Sequence, residues 1–398
     1  MKKLLLFIIC FSFFVINVNA LETDSKYAVL YNLNDQQVIY EEGKDEKTSV
    51  ASLTKIMTTI MAIENITDYN QEIVIKSSMF TGLREQNAAV IGLRDGQKVT
   101  YNDLLYGMFL GSGADATRAI SISIAGSEEK FVELMNKKAE SLHLSNTHFV
   151  NTVGLDDGLH YSTVNDIARI LNYAFQNEKF KEIFTTKNYT LSDHSIKVSS
   201  TFFKTAENSG IDSSFILGAK TGYTENAGRC LASIAFDEAN QITYLLVTTN
   251  ATVTPNHVKD AVTVYDYYFK NYKYHTLVEK GEVLVKIPTR YSKQKEVKIS
   301  SNKEVKKYLN NDFSKEDVKI EYKGEKIITP NMKKKAKLGV ANIYYRNEIV
   351  EKVDILLPKE ISFSLLEFIS VHKIIFLVIF VLLSVLCILL FKMRKRKS

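Results

Sequence analysis

The sequence predicts an α/β unit, a sheet with helices on both faces, followed by a small β-rich unit and one C-terminal apolar helix. Three observations lead there. Strand-like runs lie on either side of a block of helical patterns between residues 27 and 269, and that order argues for helices covering both faces of a sheet. Short alternating apolar and polar runs then dominate residues 277–358. Finally, residues 374–391 carry no charge and lead directly into Lys392, Arg394, Lys395, Arg396 and Lys397.

Taken in chain order, residues 1–20 read as a cleaved signal peptide. Two lysines precede an apolar run that ends at Val18-Asn19-Ala20, with small or neutral residues where a signal peptidase cuts. Tyr27-Ala28-Val29-Leu30-Tyr31 and Gln37-Val38-Ile39-Tyr40 flank Asn32-Leu33-Asn34-Asp35, a hairpin signature. Leu53, Ile56, Met57, Ile60, Met61 and Ile63 surround a helix so apolar that it belongs at the centre of the unit. Helices are expected at Tyr101–Leu110 and Ala116–Ala125, separated by Gly111-Ser112-Gly113, and again at Glu128–Leu142, Thr163–Asn177 and Val258–Phe269. Strands are expected at the Lys-Thr-Gly run of residues 220–222, at Arg229–Phe236 and at Ile242–Thr249. This first folded unit spans 23–274 and the β-rich unit 277–358. The latter shows runs such as Val283-Leu284-Val285-Lys286-Ile287 and Val318-Lys319-Ile320-Glu321-Tyr322. The helix at 374–391 rises roughly 27 Å, enough to cross a bilayer, and the basic tail, 392–398, belongs on the cytoplasmic side. The body of the protein is then extracellular, anchored to the membrane by this C-terminal helix.

Composition narrows the class further. Cys10 lies in the signal and Cys387 in the apolar helix, so Cys230 is the one thiol of the exported part and no disulfide forms within it. Stability therefore rests on a packed core, and 398 residues with 45% hydrophobic content suffice for more than one domain. The net charge of +6 is modest and spread out. No segment resembles a nucleic-acid-binding module.

Two short motifs carry the chemistry. In Ser52-Leu53-Thr54-Lys55 the serine and lysine, three apart at the start of a helix, share one face, so the amine lies within hydrogen-bond reach of the hydroxyl. The helix N-terminus favours developing negative charge there, and burial pushes the lysine towards its neutral, basic form. Ser-x-x-Lys also occurs at Ser127–Lys130, Ser292–Lys295 and Ser300–Lys303, in polar, exposed-looking contexts. The second motif, Lys220-Thr221-Gly222, adds a second cation, a hydroxyl, and a residue without a side chain where a substrate backbone is to approach closely. Between the two motifs, Ser112 sits in the break between helices, placed to project a hydroxyl into a cleft.

Those residues resemble the D-alanyl-D-alanine carboxypeptidases, low-molecular-weight penicillin-binding proteins of serine peptidase family S11, whose Ser-x-x-Lys and Lys-Thr-Gly motifs are shared across penicillin-binding proteins. Ala51–Thr58, Asn146–Gly154 with Leu155, His160 and Ser162-Thr163, and Gly218–Thr224 with Ala227-Gly228 all match the family pattern. The resemblance implies a transpeptidase/β-lactamase-like catalytic fold, in which the sheet is antiparallel, with a C-terminal all-β domain. It implies Ser52 as nucleophile, Lys55 as base and Ser112 as proton relay. Lys220, Thr221, Gly222 and Tyr223 bind substrate, and the amides of Ser52 and Tyr223 form the oxyanion hole. The implied substrate is the peptidoglycan stem peptide, β-lactams are the implied covalent inhibitors, and no metal or cofactor is needed.

Two departures stand out. The usual Ser-x-Asn reads Ser112-Gly113-Ala114, and the arginine commonly found after the last core strand is absent from Thr254-Pro255-Asn256-His257-Val258-Lys259, leaving His257 or Lys259 as substitutes. His160 is expected to be structural. A non-catalytic wall-binding protein and a β-lactamase are the competing readings. No Glu-containing deacylation loop is evident, and the anchor and extra β domain fit a cell-wall enzyme.

Overall fold

The computed structural model describes residues 21–395; the expected signal peptide lies outside the described residues. The chain divides into two compact units, with the division between Lys270 and Asn271.

In the first unit, β1 (Tyr27–Asn32) and β2 (Gln37–Glu42) form the expected hairpin. Its turn is held by the Asn32 carboxamide oxygen, which accepts the Asn34 amide at 2.9 Å. A 3₁₀ turn, Ala51–Leu53, runs straight into α1 (Thr54–Asn65). All of α1 from Thr54 to Ile63 is buried, as its apolar composition requires, and its buried hydroxyls find partners: Thr58 donates to the Thr152 carbonyl of a distant loop and Thr59 to that of Lys55 one turn back. The short strands β3 (Glu72–Val74) and β4 (Lys98–Thr100) pair with each other. Thr100 and Asp103 then form a capping box that starts α2 (Tyr101–Phe109).

Helix α3 (Ala114–Ala125) begins two residues earlier than its sequence pattern suggests, so the break that carries Ser112 is tight. Ser127 caps α4 (Glu128–Ser141), and Thr163 caps α5 (Val164–Phe175). Two further helices, α6 (Glu178–Thr185) and α7 (Thr201–Asn208), flank a small pair formed by β5 (Asn188–Thr190) and β6 (Lys197–Ser199). Each is eight residues long, too short to show a clear helical period. The chain closes the unit with β7 (Ile216–Thr224), β8 (Gly228–Asp237), β9 (Ile242–Ala251) and α8 (Asn256–Asn271).

The central sheet is antiparallel throughout, in the order β2-β1-β9-β8-β7. Cys230, Ala232 and Ile234 of β8 join one large apolar cluster with Ile56 and Ile60 of α1 and Ile167 and Ile170 of α5. The alternate residues face α8, where the Tyr265 hydroxyl and Ser233 Oγ lie 3.0 Å apart. Strand β7, which carries Lys-Thr-Gly, is an edge strand, so its outer side remains available to a substrate.

The second unit is mostly β: β10 (Tyr272–Val278) pairs with β13 (Val305–Asn310), and β11 (Val283–Pro288) with β12 (Glu296–Ser300). Strands β14 (Val318–Gly324), β15 (Lys337–Tyr345) and β16 (Glu348–Leu356) form a three-stranded sheet. Leu277, Ile287, Val297, Ile328, Ala341, Ile343 and Ile355 supply a core of its own. Then follow α9 (Leu365–Val371) and α10 (Lys373–Lys395). Among the described residues, the stretch Lys373–Met393 is the one helix long and apolar enough to cross a membrane.

Candidate active site

Ser52 lies in the 3₁₀ turn, and the residue before it, Ala51, is held at φ +46°. Ser112 sits at φ +54°. Both are left-handed positions that disfavour a Cβ, strain of the kind that gathers at functional sites. Lys55, one turn on from the serine, is only 1% exposed; its Nζ lies 2.9 Å from Ser52 Oγ and donates to the Val153 carbonyl at 2.8 Å. Burial, reinforced by the charge of Lys220, pushes its pKa well below the usual lysine value, with Asp115 opposing. The amine beside Ser52 is therefore poised to be neutral.

Lys220 is equally buried, and its Nζ donates to Ser112 Oγ at 2.9 Å and to the Thr221 carbonyl at 2.9 Å. Burial brings it down to about 7. Thr221 Oγ1 lies 2.5 Å from Thr201 Oγ1 at the start of α7. Ser52 with Lys55, and Ser112 with Lys220, thus form two hydroxyl–amine pairs whose charges act on one another.

Gly222 serves a purpose that differs from the sequence expectation. A Cβ built there would lie 2.8 Å from the Ser52 amide nitrogen and 3.0 Å from Ala51 Cβ. The missing side chain makes room for the nucleophile's own turn against β7, whereas the sequence reading assigned that space to substrate. Gly154 does the same from the other side, at φ +87° with a built Cβ 1.9 Å from the Ala51 carbonyl oxygen. The loop carrying it is organised by Asn151, whose side-chain oxygen accepts the amides of Val153, Gly154 and Leu155. Asn151 thereby aims the Val153 carbonyl at Lys55. Tyr223 is 52% exposed, and the Arg229 guanidinium carbon lies 3.9 Å from the centre of its ring.

His160 is structural in geometry: its Nδ1 accepts the Val150 amide at 3.2 Å, which leaves Nε2 to donate to Thr54 Oγ1 at 2.9 Å. Burial lowers it to about 4, so it stays neutral. His257 is also buried and held to about 4, by burial and then by the charge of Arg229, while Lys259 is exposed on α8. A neutral imidazole is a poor substitute for the missing arginine. Ala114 is fully buried against Leu83 and Val153, so apolar packing occupies the place where the usual carboxamide would stand. Of the other Ser-x-x-Lys serines, Ser127 is a helix cap and Ser292, expected to be exposed, is buried in the second unit with its hydroxyl accepting the Gln294 amide.

Sequence reasoning left out Asp115, Asn151, Thr201 and Arg229 as individual residues. Asp115 accepts the amides of Ile91, Gly92, Leu93 and Ala116, fastening the loop before β4 to the start of α3 beside Ser112. Its first-turn position was the available signal. Asn151 lay inside a motif already noted, whereas Thr201 and Arg229 reach the site only through tertiary packing.

Comparison with known proteins agrees with this geometry. The sequence profile of D-alanyl-D-alanine carboxypeptidase, peptidase S11, matches residues 15–252. The chain belongs to this family. The profile of the penicillin-binding protein 5 C-terminal domain matches residues 272–362. The chain is 27% identical over 333 residues to D-alanyl-D-alanine carboxypeptidase DacF of Bacillus subtilis, covering 82% of this chain and 83% of DacF. It is 32% identical over 225 residues to DacC of Escherichia coli, covering 55% of each. Among solved structures, the Streptomyces K15 DD-transpeptidase superposes with a TM-score of 0.56 at 27% identity over 62% of this chain and 98% of that one. DacD of Francisella tularensis reaches 0.67 at 20% identity over 86% of this chain and 95% of its own, a likeness of fold. The catalytic domain is thus an S11 domain, followed by an all-β domain of the penicillin-binding protein 5 type.

Proposed function

We propose that this chain is a serine-type D-Ala-D-Ala carboxypeptidase that removes the terminal D-alanine from peptidoglycan pentapeptide stems. The observation that carries the reading is the buried, neutral-leaning Lys55 amine 2.9 Å from Ser52 Oγ. In the first half-reaction Ser52 Oγ attacks the carbonyl carbon between the two D-alanines while its proton passes to Lys55 Nζ. The oxyanion so formed faces the amides of Ser52 and Tyr223, each such donor worth about 3 kcal/mol of barrier. The C–N bond then breaks as Ser112 passes its proton to the leaving amine and takes up the one held by Lys55, so that D-alanine departs, an ester remains on Ser52 and Lys55 is neutral again. Water, deprotonated by Lys55, cleaves that ester and restores the serine.

Lys220 and Thr221 bind the terminal carboxylate, and the bound anion favours the charged form of Lys220. A β-lactam offers the same carboxylate beside a strained amide and acylates the same oxygen. The apolar α10 anchors the enzyme to the cell membrane with the catalytic unit outside and the basic end in the cytoplasm. Incubating purified protein with a stem pentapeptide and weighing the products tests the activity: a tetrapeptide and free D-alanine are expected, and an unchanged pentapeptide in the presence of folded protein would refute it.

A further inference from the structure

We infer that Arg229 is the cation that takes the place of the missing family arginine and receives the substrate's terminal carboxylate beside Thr221. The inference rests on the peptidase reading above and names a residue for one of its subsites.

Register places it. Tyr223 pairs with Arg229 and Thr221 with Leu231 across β7 and β8, and directly opposed residues of an antiparallel pair point to the same side of the sheet. Arg229, Tyr223 and Thr221 therefore share the α8 side of the edge strand, with Thr221 one pleat, roughly 7 Å, along from Tyr223. The guanidinium is fixed in position by lying 3.9 Å over the Tyr223 ring, itself half exposed at the rim of the site. Yet its hydrogen bonding is unmet: Nε is shut off from solvent and has no partner among the described residues. No carboxylate of the chain forms an ion pair with it among those residues. An oriented, permanently charged guanidinium without an internal anion is suited to a carboxylate that reaches it at the rim of the site. Neither residue suggested by the sequence fills that role, since His257 is buried beside Arg229 and kept neutral, and Lys259 is exposed on α8.

The test uses the full chain and two peptides ending in D-Ala-D-Ala, one with a free carboxylate and one with a carboxamide. Cleavage of each is followed as kcat/KM for the wild type, Arg229→Gln and Arg229→Lys. A charge-assisted pair of this kind predicts that the wild-type preference for the carboxylate shrinks by ~10–100-fold in Arg229→Gln, and that Arg229→Lys recovers part of it. An equal fall on both peptides, or an unchanged preference in Arg229→Gln, overturns the assignment and leaves Arg229 a packing residue. If Arg229→Gln does not fold, Arg229→Met, which keeps the length of the side chain without its charge, decides on the same ratio. Wild-type protein inert towards both peptides overturns the peptidase reading, and this inference with it.

Discussion

Replacing Gly222 with alanine adds one methyl group at the point where strand β7 meets the nucleophile's turn. The new Cβ would stand 2.8 Å from the Ser52 nitrogen and 3.0 Å from Ala51 Cβ, where ordinary contact begins at 3.4 Å. Strand and turn must separate by the difference of the first pair, 3.4 − 2.8 = 0.6 Å, because the neighbours are backbone and a short side chain that cannot swing aside. A displacement of this order exceeds the tolerance of about 0.5 Å within which catalytic groups act together. It moves the Tyr223 amide and Lys220 away from Ser52 together. The acylation rate is expected to fall by ~10–100-fold, and stability by about 1–3 kcal/mol from overpacking. The matched control is Gly158→Ala, where a Cβ meets nothing within 4 Å and φ is not left-handed, so rate and stability should stay near wild type. The assay is the second-order rate of labelling by a fluorescent penicillin, with thermal unfolding run in parallel. Wild-type labelling and melting in Gly222→Ala would refute the idea that β7 and the Ser52 turn are held at contact distance.

Two further expectations follow from the buried bases. Because burial holds Lys55 well below the ordinary lysine value of 10.5, the labelling rate should level off before that pH is reached; a rate still climbing tenfold per unit up to it would mark an ordinary, charged lysine. His160 is lowered to about 4 from 6.5, so its contribution to stability is complete above pH 6.5 and disappears as pH falls through 4, with a ceiling of about 3 kcal/mol. Urea unfolding at pH 7 and pH 4 should therefore show a larger acid loss for the wild type than for His160→Gln, and equal losses would contradict a neutral, buried imidazole.

The parts legible in the sequence were those set by local pattern. The apolar surround of α1, the Asn-rich hairpin turn and the Gly-Ser-Gly break each write their structure over a few neighbouring residues, and the Ser52–Lys55 pairing follows from a three-residue spacing that leads into a buried helix, although Ser52 itself lies in the 3₁₀ turn before α1. What stayed hidden depends on residues far apart in the chain. Thr201 reaches Thr221 because α7, too short to show a period, is folded against the edge strand. Arg229 enters through cross-strand register, which fixes sidedness only once β7 and β8 are aligned. Gly222 was visible as a motif residue, but its reason was not: the close neighbour is the chain's own turn, 170 positions upstream at Ser52. Ala114 looked like a loss, yet its setting against Leu83 and Val153 shows a packed apolar alternative, with Lys55 oriented by the Val153 carbonyl.

The central claim, that Ser52 becomes the attacking group through the neutral amine of Lys55, is tested most directly by intact-protein mass measurement after exposure to benzylpenicillin. Wild-type protein should gain the mass of a single opened β-lactam on the peptide containing Ser52, while Ser52→Ala should gain none and release no D-alanine. An adduct of the same stoichiometry and rate on Ser52→Ala would contradict it.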